Sequence, residues 1–110
     1  MNPINQLINE ELERANTKYQ PKFNSIREGY IVLREEIEEA KEDVDFCFGR
    51  SEQLWHYVRN KELEHMGECA DRIEKTAIAG IKELIQVAAM CRKFRMSLAV
   101  DLNNKKGEIV

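Results

Sequence analysis

Residues 83–94 read Glu-Leu-Ile-Gln-Val-Ala-Ala-Met-Cys-Arg-Lys-Phe, and this stretch decides the fold. It lies in a helix that we expect from about Cys69 to Leu102, with its main apolar stripe at Ile73, Ala77, Ile81, Leu84, Ala88 and Cys91. Between Leu84 and Phe94 further apolar residues nearly encircle the helix, which predicts burial on all sides. A chain of 110 residues cannot easily surround such a helix alone. We therefore expect an all-α bundle of antiparallel helices completed by oligomerisation.

Two helices are predicted before Gly49. The first, from about Ile4 to Lys18, has one apolar stripe, and Pro21 prevents its continuation. Ser25 followed by Glu28 is a capping-box pattern that opens the second helix. The apolar seam of that helix predicts a partner helix along its whole length, and it consists of Ile26, Tyr30, Leu33, Ile37, Ala40, Val44 and Cys47.

The segment after the second helix is less regular. Gly49 is a plausible C-terminal cap, and Ser51 can begin a third helix that places Trp55 in its core. The segment from Asn60 to Gly67 either contains a break between two helices or continues as a helix without a break. We expect one domain over residues 1–110, with about 1–3 and 103–110 frayed.

Composition limits the classes of function. Charged residues make up 34% of the chain and there are only two prolines and five glycines, which suits helices. The net charge of −3 argues against broad nucleic-acid binding. We expect no membrane span and no signal peptide, because no apolar run is long enough and the N-terminus is polar. The three cysteines are typical of a reduced, cytoplasmic protein.

The acidic residues are the strongest functional signal. Glu36 and Glu39 fall on one strip beside the seam of the second helix, and Glu83 and Gln86 have the same spacing in the apolar final helix. An unpaired buried carboxylate costs several kcal/mol. A divalent cation shared between the two helices would remove that cost, and clustered hard oxygens suit Mg²⁺ or Mn²⁺.

Two other interpretations remain open. Acid-rich helices are often solvated surfaces without a metal. Glu62 and His65 form an ExxH spacing that di-iron bundles use, although those bundles need a second such motif and two more glutamates.

Two segments together resemble a known family. Residues 28–39, Glu-Gly-Tyr-Ile-Val-Leu-Arg-Glu-Glu-Ile-Glu-Glu, and residues 83–90 are similar to the MazG-like all-α nucleotide pyrophosphohydrolases, in particular a short phage and bacterial subgroup. The resemblance is close over the second and last helices and loose at the N-terminus, and Phe46 to about Ile73 matches as an insert of fitting length. The family's motifs are EExxE and ExxD; Glu35, Glu36, Glu39 and Glu83 match them, whereas Gln86 replaces the final Asp.

The resemblance implies an Mg²⁺-dependent enzyme that cleaves a nucleoside triphosphate between its α and β phosphates. It implies Glu36, Glu39 and Glu83 as metal ligands, Gln86 as a weaker ligand or an orienting amide, and Glu35 as a supporting group or base. Lys93, Arg27 and Lys22 are candidates for the triphosphate charge, and the subgroup tends to carry a lysine at the position of Lys93. The alternative is a non-catalytic helical oligomer that binds nucleotides or a protein, its metal site weakened by Gln86.

Overall fold

Three α-helices form the described part of the chain. The computed structural model describes the backbone of residues 2–109 and the side chains of residues 2–105. The helices are α1 (Pro3–Lys18), α2 (Ile26–Arg59) and α3 (Leu63–Ile109). Residues 2–109 contain no strand, so the predicted all-α class is confirmed. None of these helices has a stretch that is both long and apolar enough to span a bilayer.

Local capping determines where α1 and α2 begin. The Asn2 side chain accepts a hydrogen bond from Ile4 N at 3.0 Å, so it caps α1. At the start of α2, Glu28 N donates to Ser25 Oγ at 3.0 Å, as the capping pattern predicts. The Glu28 carboxylate accepts from Asn24 N at 3.2 Å, one residue earlier than in the usual reciprocal box.

The prediction of a helix end at Gly49 is wrong. α2 continues through Gly49 to Arg59, and no glycine in residues 2–109 has a positive φ. Ser51 does not cap a new helix, because its hydroxyl donates back to Phe48 O at 2.6 Å. A glycine inside a helix costs only about 1 kcal/mol, which the surrounding turns of α2 offset.

The actual break is a three-residue turn at Asn60–Glu62. Glu62 N donates to Tyr57 O at 2.9 Å and Lys61 N to Val58 O at 3.2 Å. These two bonds form a Schellman motif, which needs a left-handed residue at its centre. Lys61 occupies that position with φ 58°, where glycine would be the usual residue.

The chain divides into two compact units, which we describe separately. The first contains the residues up to Ile37 and those from Ile85 onward. Its buried core consists of Ile8, Ala15, Phe23, Ala89 and Met90, with six partly buried apolar residues packed against it. Arg92 also ties α3 to α1, because its guanidinium donates to Asn9 at 2.6 Å and to Asn5 at 2.9 Å.

The second unit, Glu38–Leu84, is an antiparallel helical hairpin. The Cys47 thiol donates to Ile73 O, and the Cys69 thiol donates to Arg50 O. As the residue numbers of the contacting residues rise along α2, those of their partners in α3 fall, which is the pattern of antiparallel helices. Its buried residues are small: Ala40, Cys69 and Gly80.

Several residues that were predicted to be buried are exposed. Tyr30 and Val44 of the predicted seam are 58% and 59% exposed, and Trp55 is 60% exposed. Leu84, expected inside the final helix, is 54% exposed. All-round burial therefore begins further along α3, where Ala89 and Met90 lie in the core.

Gly29 is required for the packing of the first unit. A Cβ at Gly29 would lie 2.7 Å from Phe94 Cδ2 and 3.0 Å from Phe23 Cδ2. We expect Gly29→Ala to lower the free energy of unfolding by about 1–3 kcal/mol through this overlap. Gly49→Ala, in the same helix with no atom within 4 Å of the new methyl group, should raise it by about 0.5–1 kcal/mol. Chemical denaturation measures both, and a stabilising Gly29→Ala would contradict the packing.

Lys61 stores backbone strain in the turn. A left-handed conformation costs a residue with a side chain about 1–2 kcal/mol, and glycine avoids most of that cost. We expect Lys61→Gly to raise the free energy of unfolding by about 1 kcal/mol, even though glycine gains entropy in the unfolded chain. Equilibrium denaturation with urea is the measurement, with Lys61→Ala as a control that should give no gain.

Candidate functional site

The acidic residues identified in the sequence lie on α2 and α3. Glu35 and Glu39 are exposed, while Glu36 and Glu83 are half-buried. In the second unit, a carboxylate oxygen of Glu39 lies within 4.8 Å of one of Glu83. Glu36 lies one helical turn before Glu39 in the sequence of α2. Mg²⁺–oxygen bonds measure about 2.1 Å, so small side-chain rotations would let one cation reach neighbouring oxygens of this kind.

A cavity of about 870 Å³ lies in the first unit. Its walls come from the end of α1, the loop before α2, the first turns of α2 and the middle of α3. This volume is within the usual range for small-molecule sites, roughly 300–1,000 Å³. Hard oxygen donors from Glu35, Glu36 and Gln86 line it, and so do the basic side chains of Arg14, Lys18, Lys22 and Lys93.

The loop before α2 is held in place by α3. Phe23 is 4% exposed, and its backbone N–H donates to Ser97 Oγ at 3.1 Å. One turn further along α3, Asp101 forms an ion pair with Lys22 at 2.9 Å. Tyr19 has an extended backbone at the end of α1 and lines the cavity. The loop therefore forms a fixed wall of the cavity.

Lys93 is the most unusual charged residue of the site. It is only 4% exposed, and its Nζ lies 4.7 Å from the centre of the Phe23 ring. Burial lowers the pKa of Lys93 because it disfavours the charged form, and the negative charge of Glu28 partly opposes that shift. Within residues 2–105 its amino group has neither a hydrogen bond nor an ion pair. A buried ammonium group of this kind favours an anionic ligand in the cavity it lines.

The other predicted cations differ in placement. Lys22 lines the cavity, but Asp101 already neutralises part of its charge. Arg27 is exposed on α2 and lies outside the cavity lining. Of the predicted anion-binding residues, Lys93 and Lys22 therefore lie together and Arg27 lies apart.

Sequence reasoning missed three residues of the cavity wall. Arg14 lines it, and the hydrogen bond from Arg14 to Glu11 raises the pKa of that guanidinium. Lys18 and Tyr19 line it at the end of α1, with the Lys18 amino group 5.4 Å from the Tyr19 ring centre. The one signal in the sequence was Pro21, which marks a chain reversal close to α1.

The ExxH pair does not assemble a metal site in the part of the chain that is described. Glu62 and His65 belong to no group of three His, Cys, Asp or Glu ligand atoms there. His65 is exposed and its ring lies 5.0 Å from that of Tyr57, between centroids. These positions argue against the di-iron interpretation.

No protein-family model, curated protein or solved structure matches this chain.

The buried charge of Lys93 provides a test. We expect Lys93→Met to raise the free energy of unfolding at neutral pH by about 1 kcal/mol, because it removes a buried charge that no ion pair neutralises. The pKa of Lys93 in the folded chain is below its ordinary value of 10.5, so the unfolded chain binds more protons between the two values. Wild-type stability therefore rises with pH through this window, and the advantage of Lys93→Met shrinks.

Urea denaturation at neutral pH and near pH 10 measures this difference. Lys82→Met, an exposed lysine on the same helix, is the matched control and should show no pH-dependent advantage. A destabilising Lys93→Met at both pH values would mean that packing of the lysine stem outweighs its charge.

Proposed function

We propose that this chain is an Mg²⁺-dependent nucleoside triphosphate pyrophosphohydrolase, which converts a ribo- or deoxyribonucleoside triphosphate to the monophosphate and pyrophosphate. One observation carries the proposal. The cavity of the first unit combines hard oxygen donors with Lys93, a nearly buried cation that forms no ion pair among the described residues. A polyphosphate with its bound cation needs both kinds of group in one site.

The basic residues have a defined role in this proposal. The Lys93 ammonium binds phosphate oxygens inside the cavity, where the low local dielectric strengthens the attraction. Lys22 and Lys18 add positive charge along the same wall. Arg27 contributes at most from outside the cavity, since it does not line it.

The donor set fits a hard divalent cation. Glu36 and Gln86 line the cavity of the first unit with a carboxylate and an amide oxygen, and in the second unit carboxylate oxygens of Glu39 and Glu83 lie within 4.8 Å of each other. These residues would hold Mg²⁺, with Mn²⁺ as an alternative. The cation would supply charge that stabilises the phosphate oxygens. Glu35 lines the cavity, and in this proposal it would accept a proton from the water that attacks the α-phosphorus.

Bonds and charges balance in the proposed reaction. The water oxygen forms a bond to the α-phosphorus while the bond to the bridging oxygen of the β-phosphate breaks. Pyrophosphate leaves with the electron pair of the broken bond, one proton of the attacking water passes to Glu35, and the remaining hydroxyl becomes part of the monophosphate. We propose that the active protein is a homo-oligomer, either a dimer or a tetramer, and that it acts in the cytoplasm. Its role would be nucleotide-pool sanitation or phage nucleotide metabolism.

A second function rests on Gln86. Its neutral amide stands where the related motif has Asp, so the site has one negative charge fewer to attract a cation. A chain with a weakened metal site would bind nucleotides in the cavity without turning them over, as a non-catalytic helical oligomer. The observation that favours this alternative is the identity of the residue itself, since Gln86 lines the cavity beside the acids of α2.

Turnover measurements separate the two functions. With a panel of canonical and modified triphosphates and Mg²⁺, we expect pyrophosphate release that EDTA abolishes. Glu83→Gln should lower the rate by about 100-fold or more, the scale for losing one electrostatic stabiliser. Glu42→Gln, an exposed acid of α2 outside the proposed donor set, should leave the rate unchanged.

The variant Gln86→Asp restores the missing charge. The hydrolase proposal expects equal or tighter Mg²⁺ binding in this variant, as measured by calorimetry. Triphosphate binding without pyrophosphate release in both wild type and Gln86→Asp would favour the non-catalytic oligomer. Absence of both binding and release would refute both functions.

A further inference from the structure

The second unit has large apolar side chains on its outside. On α2 these are Val44, Phe48 and Trp55, and their exposed fractions are 59%, 67% and 60%. On α3 they are Leu63, Ile81 and Leu84, at 75%, 58% and 54%. The buried residues of this hairpin are small, whereas its large apolar residues are exposed to solvent. This distribution is unfavourable for an isolated chain.

These residues lie on one side of the hairpin. At 100° per residue, the exposed stripe of α2 is rotated by roughly 80° from its inward residues Ala40 and Cys47. The exposed stripe of α3 is rotated by roughly the same angle, in the same sense, from Cys69 and Gly80. Because the helices run antiparallel, rotation in the same sense about each axis brings both stripes to the same side. We call the six exposed residues of the two stripes the hairpin face.

The hairpin face is large enough to be an interface. Fully burying one aromatic side chain removes about 150–250 Å² from water, so six large side chains exposed by more than half present on the order of 800 Å². This equals the typical contribution of one partner to a stable interface, about 800 Å². It exceeds the largest apolar patch of an ordinary monomer, about 300–600 Å².

The hairpin face is complementary to itself in shape. Its aromatic residues, Phe48 and Trp55, both stand on α2. The middle of the α3 stripe has small exposed residues, Ala70 and Ala77, with Glu74 between them. A two-fold axis would place the bulky stripe of one copy over the shallow stripe of the other, and the reverse contact would form equally.

The polar residue within the α2 stripe does not oppose such a contact. The Ser51 hydroxyl already donates to Phe48 O, so its burial leaves no donor unsatisfied. Glu74 is the charged residue of the α3 stripe, and keeping its carboxylate hydrated within the contact lowers the affinity that the apolar residues provide.

We propose that the hairpin face binds the hairpin face of a second copy of this chain, with α2 of each copy packed against α3 of the other in a four-helix bundle. The assignment does not depend on the hydrolase proposal, since no residue of the hairpin face lines the cavity. It specifies which surface of the second unit self-associates and in which pairing.

Sedimentation equilibrium of the full chain tests the proposal. We expect a dimer that Phe48→Ser weakens by at least about 100-fold in its dissociation constant, because each dimer loses two buried phenylalanines. Phe46→Ser is the matched control: Phe46 is 41% exposed on the opposite side of α2, with Arg50 over its ring. It should leave the dissociation constant unchanged, whereas Glu74→Ala should strengthen association.

Emission from Trp55, the single tryptophan of the chain, gives an independent measurement. Its indole is largely exposed in one copy and buried in the proposed dimer, so dilution through dissociation should shift emission to longer wavelength. This result stands even if Phe48→Ser fails to fold. A chain that sediments as a monomer at all concentrations would overturn the proposal, as would dissociation without an emission shift or equal effects of Phe48→Ser and Phe46→Ser.

Discussion

The burial of Phe23 is the interaction on which the arrangement of the first unit depends. Its ring packs against the bare backbone of Gly29, and its backbone N–H bonds to Ser97. The same ring lies under the Lys93 amino group at 4.7 Å. One side chain thus fixes the loop before α2, the approach of α2 to α3 and the surroundings of the buried cation. The cavity stays open because this loop is held against α3 and does not fill the cavity.

The cavity of the first unit is lined by both acidic and basic side chains, and this mixture gives it chemical character. Ion pairs neutralise part of the positive charge of the basic residues that line the cavity, since Arg14 is paired with Glu11 and Lys22 with Asp101. Lys93 is left over a π face, which stabilises a cation without neutralising it. Glu35 and Glu36 line the same cavity with carboxylate groups. A ligand that carries both a cation and several negative oxygens matches this mixed lining better than a simple anion does.

The two units solve the problem of burying apolar surface differently. The first has three helical segments and a loop, so residues such as Phe23 and Met90 reach its interior. The second has two helical segments, whose facing surfaces accept only residues as small as Ala40 and Gly80. Two helices in contact cannot enclose large side chains on their outer surfaces. This geometry leaves Phe48 and Trp55 exposed in one copy. In the proposed dimer, a second copy would bury both side chains.

Local patterns in the sequence determined the all-helical class, the extent of α1, the Ser25–Glu28 cap and the acidic positions on α2 and α3. These follow from periodicity and side-chain chemistry within a few residues, which the sequence contains in full. The continuity of α2 through Gly49 and the left-handed Lys61 were not predictable in this way, because glycine is only weakly unfavourable in a helix and lysine is not a usual turn residue. The cavity, the burial of Lys93 against Phe23 and the side on which Trp55 lies depend on how distant segments pack, and only the tertiary structure decided them.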